Sequence, residues 1–476
     1  MNLSIFLIFN RACGFVFFLF FFSGAISQTI DSSNYKLVIG NISIKGNKIT
    51  KSKIITREFV KHSGDTIDFK DLPRITLRTQ QNIFNTQLFI YDTIKYKINE
   101  DRKFVDLDIK VKERWYIIPQ LIFEIQDRNI NQWIQHADLF RINYGAILEV
   151  NNFTGVRDKL SFIFRRGYAE RYGVSYSLPY LNKSQTIGIN ASYAFSRNNE
   201  VSYLTTKNVL LFHRDYKKYM RTEHSAAIGV TVRSDLYQRN SLELIYNNII
   251  INDTISDLNP NFFGNGKSQI AYFGLQYRYS FDKRDNKPYP LKGITVDLGI
   301  VKDGLNYIYD ESVNNLYLWG SLRKYTQLYK RFYLANQIKA RYYTTDKLLY
   351  YFNRALGYSD FIRGYEYYVL DGQNYFLSKN SLKFQLLKTK VWEPKFLRKI
   401  PQFSTIPFAA YINLNFDTGY VQDNYYGKNN PLTNSWQYGY GVGIDLVTYY
   451  DIVFGLEYSF NKLMQNGFFI HLSAGI

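Results

Sequence analysis

Cysteine is almost missing from this chain of 476 residues: there is one, Cys13, and histidine is scarce as well, with five. A disulfide framework needs paired cysteines, and a Cys/His zinc site needs ligands that this sequence hardly holds. Long apolar runs are missing too. Beyond the N-terminal stretch nothing approaches the roughly 20 consecutive apolar residues of a membrane-spanning helix, and the mean hydropathy is −0.28. These absences exclude a disulfide scaffold, a Cys/His zinc module and a polytopic helical membrane protein. Aromatic residues, in contrast, are plentiful: 43 Tyr, 37 Phe and 5 Trp. With 46% of residues hydrophobic the chain is not a disordered one. So much Tyr and Phe at modest hydropathy suits strands that each carry one apolar face.

Gly14 to Phe22 (GFVFFLFFF) is a short apolar run, preceded by Arg11 and followed by small residues at Ala25 and Ser27. Residues 1–27 therefore read as a secretory signal peptide cut near Ser27–Gln28. The other reading is a membrane anchor, for which the run is too short. The chain after this segment has no cysteine, as suits an oxidising, extracytoplasmic compartment.

Residues 35–114 mix helical and strand periods. Leu37–Ile44 reads as a strand ending in the turn Lys45-Gly46-Asn47. Thr50 is expected to cap a helix that stops before Gly64, and a second helix is expected over about Asp71–Phe84. Two strands come next, Ile90–Ile98 and Phe104–Val111. This β-α-α-β-β order resembles a polypeptide-transport-associated (POTRA) domain. The residues that carry the resemblance are Ile42 to Asn47 with the Gly46-Asn47 turn, Thr50, Arg57-Glu58, Asn85-Thr86, Leu88-Phe89 and Val111 to Arg114. It implies a periplasmic domain able to take up extended client segments by strand addition.

From Ile118 to Ile476 the helical signals stop, and segments of about ten residues alternate apolar with small or polar side chains. Sixteen candidate strands begin near Ile118, Ile142, Lys159, Tyr172, Thr186, Lys207, Ser225, Ile270, Gly293, Leu316, Phe332, Phe376, Phe408, Trp436, Tyr450 and Phe468. That spacing predicts an all-β, 16-stranded antiparallel outer-membrane barrel behind the small α/β domain. Leu242–Ile251 would be a seventeenth strand. Both barrel ends are expected on one side of the membrane, which requires an even number, so this segment is assigned to an extended loop ribbon. The last strand shows the alternation plainly: Phe468, Ile470, Leu472, Ala474 and Ile476 share one face, and Phe469, His471, Ser473 and Gly475 the other.

Several barrel motifs resemble those of the BamA/TamA superfamily of outer-membrane assembly and translocation factors. They are Asn151 to Gly155, Leu178-Pro179-Tyr180 and Asp282 to Asn286 with Pro290 and Gly293. The sharpest is Ile362-Arg363-Gly364-Tyr365, similar to the motif of the family's sixth extracellular loop. Asn415 to Gly419 is similar to its F-x-D-x-G strand motif, with the Phe one residue late. A loop from about Tyr343 to Tyr375 is too long for a simple hairpin. If it enters the lumen, Arg363 needs an acceptor there, and Asp417 is the candidate, held bidentately by the guanidinium fork. Gly364 would allow a backbone approach denied to other residues, and Tyr365 would wedge against the wall. The resemblance implies that Arg363 and Asp417, with Ile362, Tyr365 and Gly419 around them, pin the loop.

There is no G-x-S-x-G, H-E-x-x-H or P-loop pattern, so the expectation is a protein that is not an enzyme and has no catalytic, metal or cofactor-binding residues. The basic surplus (59 Lys and Arg against 40 Asp and Glu) is spread along the chain. It fits a solvated surface or lipid phosphates better than nucleic acid. The resemblance implies an outer-membrane location and unfolded outer-membrane proteins as clients, with accessory lipoproteins and outer-membrane lipids as further partners. It also implies a seam between Ile118–Ile125 and Phe468–Ile476 that templates client strands. Alternatives are a dedicated secretion transporter of the same superfamily, which usually has two POTRA domains and a plug helix, and a passive pore.

Overall fold

The computed structural model describes residues 36–99, 103–125, 141–305, 312–345, 347–395, 406–448 and 452–471. The expected signal peptide and the expected strand residues Leu472–Ile476 lie outside the described residues.

The N-terminal domain is a four-stranded sheet with helices on one face. Its strands are β1 (Lys36–Lys45), β2 (Thr66–Asp68), β3 (Phe89–Asn99) and β4 (Phe104–Glu113), and its helices are α1 (Ser52–Thr56) and α2 (Leu72–Phe84). The sheet order is β2-β1-β4-β3, with β1 parallel to β4. Alternation in β4 turns Val105, Leu107, Ile109 and Val111 inward, where they pack in two clusters with Ile54, Ile55, Phe59, Leu72 and Ile83 of the helical side. The helix expected to run up to Gly64 is five residues long, and its N-cap is Lys51 with no side-chain cap. Thr50 does not cap it. Its hydroxyl instead meets Tyr116 Oη at 2.8 Å and accepts from Asn152 Nδ2 at 2.9 Å, tying the domain to the larger sheet beyond it.

Most of the rest of the described chain forms one 16-stranded antiparallel sheet. Its strands are β5 (Ile117–Ile125), β6 (Ile142–Asn151), β7 (Lys159–Gly167), β8 (Ala169–Leu178), β9 (Ile187–Asn198), β12 (Arg221–Val232), β13 (Gln238–Ile251) and β14 (Gln269–Asp282), then β15 (Gly293–Asp303), β16 (Asn315–Tyr329), β17 (Phe332–Tyr343), β20 (Asn374–Trp392), β21 (Ile406–Gln422), β22 (Gln437–Val447), β23 (Val453–Asn461) and β24 (Asn466–His471). The two-stranded ribbon β10 (Glu200–Thr206) and β11 (Val209–Arg214) stands apart from it, as does the short pair β18 (Arg354–Leu356) and β19 (Leu370–Asp371). The expected strand near Lys207 is therefore the separate ribbon, and Leu242–Ile251, assigned to a ribbon, is barrel strand β13. The count of sixteen holds because the two errors cancel.

Alternation sets the two faces of the wall. On β21, Ile412, Leu414 and Phe416 are exposed on the outside, while Tyr411, Asn413, Asn415 and Asp417 are buried inside. On β22, Tyr438, Tyr440, Val442, Ile444 and Leu446 point out, and Gln437 and Asp445 point in. A continuous apolar exterior around a polar interior is what hydrocarbon requires of a spanning sheet.

The connections differ at the two ends. Those at the end nearest the N-terminal domain are mostly turns; those at the far end include 199–220, 252–268, 344–373 and 423–436. At that far end β10, β11 and helix α3 (Asp253–Leu258) gather over the barrel around Met220, Ile255, Phe262, Phe263, Val313 and Tyr350. Asn208 knits this cap together, donating to the Val369 carbonyl at 3.0 Å and accepting from Leu432 N–H at 2.9 Å.

Candidate functional site

The long connection 344–373 enters the barrel, and its tip, residues 361–367, packs against one arc of the wall, strands β20 to β24. At its tip Arg363 is 4% exposed and Asp417 is fully buried. Arg363 Nη1 donates to Asp417 Oδ1 at 2.7 Å, and the Arg363 backbone N–H donates to Asp417 Oδ2 at 3.2 Å. The fork is not bidentate on Asp417 as expected. Its Nε turns instead to Glu457 Oε2 on β23, at 2.9 Å. One guanidinium thus bridges carboxylates on two strands, with Lys379 Nζ of β20 3.8 Å from Asp417.

The neighbours of Arg363 complete the clamp. Gly364 has φ +82°, and a Cβ there would lie 2.7 Å from the Phe460 carbonyl oxygen, so the backbone turn demands glycine. Its own carbonyl accepts from Asn461 Nδ2 at 2.9 Å. Tyr365 is 1% exposed and donates its hydroxyl to Gln437 Oε1 at 2.8 Å. Ile362 packs in a buried cluster with Tyr365, Leu377 and Val421 and rests on Gly419. Phe361 stacks on His471 at 5.5 Å, and Tyr367 lies 5.8 Å from Phe469, which carries the contact onto the last strand.

Sequence reasoning missed Glu457, Gln437, Asn461 and Gly439. Glu457 was detectable as a charged residue at an inward position of a strand whose alternate residues (Phe454, Leu456) face out. Gly439 carries no such signal: a Cβ there would sit 1.8 Å from the Arg363 carbonyl oxygen, a close approach that only the folded loop reveals. Asn415, which stands where the family motif has Phe, is inward and donates to Glu457 Oε2 at 3.3 Å.

A second constellation joins the N-terminal domain to the near mouth of the barrel. Arg233, in the turn after β12, donates twice to Glu58, at 2.7 and 2.8 Å, and once to Tyr180 Oη at 2.8 Å. Burial alone would raise the Glu58 carboxyl. The hydrogen bonds and charge of Arg233, with Arg157 and Arg57, outweigh it and hold the group below its ordinary value. Arg57 lies over the Tyr180 ring at 5.0 Å, and Lys51 N–H donates to the Gly155 carbonyl at 3.0 Å. Asn85 Nδ2 reaches the carbonyls of Arg284 and Asp285, both at 3.3 Å. Phe84, Ile90 and Arg114 face Pro407, Phe408 and Val447 across a cavity of about 400 Å³. The domain therefore lies across the mouth, touching turns on both sides of it. Gly46 (φ +98°) and Asn47 form the turn that brings Thr50 to this junction, with Asn47 Nδ2 donating to the Thr50 carbonyl at 2.9 Å.

Residues 37–114 match the family model for POTRA domains, described as surface antigen variable number repeat. No curated protein matches the sequence. Among solved structures, BamA from Haemophilus ducreyi lacking POTRA domains 1-3 is similar with a TM-score of 0.50 at 13% identity, over 92% of this chain and 83% of that one. CdiB from Escherichia coli is similar with a TM-score of 0.56 at 10% identity, over 91% and 75%. At such identities the likeness is one of fold. The apolar exterior of this chain fits a membrane-spanning β-barrel, and a POTRA-type domain lies across one of its mouths. The family match is confined to the N-terminal domain, and over the rest of the chain the likeness is to the barrel fold of those two structures.

Proposed function

We propose that this protein inserts and assembles outer-membrane proteins, its POTRA domain capturing unfolded clients and its barrel seam templating their strands. The observation that carries the reading is the order of the sheet: ladders run without a break from β24 to β5, and among the described residues none joins β5 to β24. A weakly closed edge is a template for another chain. On β5, Leu121 and Phe123 are strongly exposed, offering apolar contact to an incoming strand or to lipid. β3, at the end of the POTRA sheet, supports client capture by strand addition. The loop clamp at Arg363, Asp417 and Glu457 acts by bracing the β20–β24 side of the seam. Accessory lipoproteins and outer-membrane lipids are the further partners this role calls for.

A transporter that secretes one passenger through the lumen is the second reading, and the likeness to CdiB favours it. The POTRA domain across one mouth, the cap over the other and the loop between them weigh against a through-passage and against a passive pore. Depletion in the native host, with quantification of every outer-membrane protein, separates the readings. Broad loss of barrels supports assembly. Loss of one or two surface or secreted proteins replaces it with the dedicated transporter, and no change in any of them leaves the pore.

A further inference from the structure

The turn Asp282 to Asn286 and the junction of POTRA domain and barrel enclose a chamber that the clamp does not use. It is a cavity of about 80 Å³ between the POTRA domain and the barrel mouth. At about 10–15 Å³ of such space per water, it holds about five to eight water-sized groups, enough for the oxygens of a phosphate or a pyrophosphate. Six cations line it: Arg78 from α2, Arg157 from the turn after β6, Arg233 from the turn after β12, Arg239 on β13, and Arg284 and Lys287 from the turn after β14. Two carboxylates face them, Glu58 and Asp282, so at least three positive charges are left over even with Lys287 neutral.

Both carboxylates are already taken. Glu58 is held by Arg233, and Asp282 accepts from Arg284 Nε and Nη2, each at 2.9 Å. Among the described residues Arg78, Arg239 and Lys287 have no carboxylate within ion-pair distance. Arg78 is held only by neutral partners, donating to Tyr237 Oη at 3.0 Å and the Arg284 carbonyl at 3.2 Å. Arg233 is 5% exposed, and its Nε is buried without an acceptor. Burial, then the repulsion of Arg157, Arg239 and Arg284, pulls the Lys287 ammonium down to about 7 against the opposing pull of Asp282. Like charges crowded into a confined space call for a counter-charge.

We infer that this vestibule is a binding site for a soluble, multivalent oxyanion of the phosphate class, which bridges POTRA and barrel. Guanidinium groups converging from several elements match tetrahedral oxyanions in geometry as well as charge. Arg78 belongs to the POTRA domain and the other five cations to the barrel, so an occupant ties the two together. The site is lined by the POTRA domain and the mouth of the barrel, and none of its lining residues belongs to the exposed apolar face, which favours a water-soluble anion over a lipid headgroup. Such a site operates whichever client the protein serves.

The test uses the full chain in detergent micelles, with pyrophosphate, inorganic phosphate and chloride compared at equal ionic strength. Pyrophosphate is expected to bind saturably in calorimetry, with a dissociation constant below about 1 mM, and to raise the melting temperature. The double variant R239Q/K287Q, which removes two cations that hold no carboxylate, is expected to lose both effects. Equal effects of chloride, heat that does not saturate, or full retention of binding in the variant would each overturn the site. A comparable shift from short-chain phosphatidic acid, with none from pyrophosphate, would overturn the soluble ligand. The calorimetric arm on the unaltered protein decides the question even where the variant fails to fold.

Discussion

Replacing Arg363 by alanine tests the loop clamp directly. The guanidinium neutralises two carboxylates, Asp417 at 2.7 Å and Glu457 at 2.9 Å, and all three side chains are buried. Breaking a buried ion pair by removing one partner typically costs about 3–5 kcal/mol, because the surviving charge is stranded. Two charges are stranded here, but Lys379 stays 3.8 Å from Asp417, and Ser459 Oγ still donates to Glu457. The expected loss is therefore near the lower end, about 3 kcal/mol. Arg363→Lys keeps the charge but supplies no planar fork to span two strands, and should recover roughly half. Equilibrium unfolding in detergent micelles, read by tryptophan fluorescence and by the mobility shift of unheated samples, gives the free energies. A cycle of R363A, D417A and the double variant should show coupling of about 1.5–3 kcal/mol. Hydrogen exchange should rise in β20 to β24, which the loop touches, and stay unchanged in β5 to β9. A loss under about 0.5 kcal/mol, or uniform deprotection round the barrel, would refute the clamp.

Gly364→Ala forces a side chain into φ +82° and against the Phe460 carbonyl oxygen; it should cost at least about 1–2 kcal/mol in the same unfolding measurement. Arg233→Met should free the POTRA domain from the mouth, seen as faster protease cleavage at the 114–116 link, while the barrel keeps its gel mobility. The Glu58 carboxyl is held below its ordinary value of 4.5, so its contribution is complete above that pH and is lost as the pH falls through the lower, folded value. Spin-label distances between domain and barrel should therefore broaden on acidification below about 4.5 in the wild type, and at every pH in Arg233→Met. Leu414→Arg places a charge on the exposed outer face of β21 and should destabilise the barrel by about 2–4 kcal/mol if that position lies near the bilayer midplane. Equal unfolding midpoints for Leu414→Arg and wild type would place the residue away from the hydrocarbon.

The barrel was legible because hydrocarbon enforces a period of two: Phe468 and Ile470 face out and Phe469 faces in, as alternation requires. Reading failed where a strand leaves the bilayer. The top of β13 rises into the cap, where Ile249 and Ile251 are buried beneath β10, β11 and α3 while Ile250 stays on the outer face. With both faces apolar the alternation vanishes, and the neighbouring ribbon, Val209-Leu210-Leu211-Phe212, imitates a barrel strand better. The loop motif and Asp417 stood out as short patterns. Their third partner, Glu457, lies 94 residues beyond Arg363 and belongs to no pattern. Thr50 had the right residue type for a cap, but its hydroxyl serves a contact with Asn152, 102 residues away. Long-range choices of this kind are decided by packing, which local spacing does not encode.

The covered lumen has a consequence for the permeability of the cell. An open barrel of sixteen strands is wide enough to pass small hydrophilic solutes, and each added copy of such a pore would admit antibiotics and leak nutrients. Here the POTRA-type domain lies across one mouth and the knitted cap over the other, so both ends of the lumen carry covering elements that an open pore of this size lacks. On the proposed reading, that of an assembly factor of the outer membrane, the abundance of the protein could track demand without weakening the envelope as a barrier.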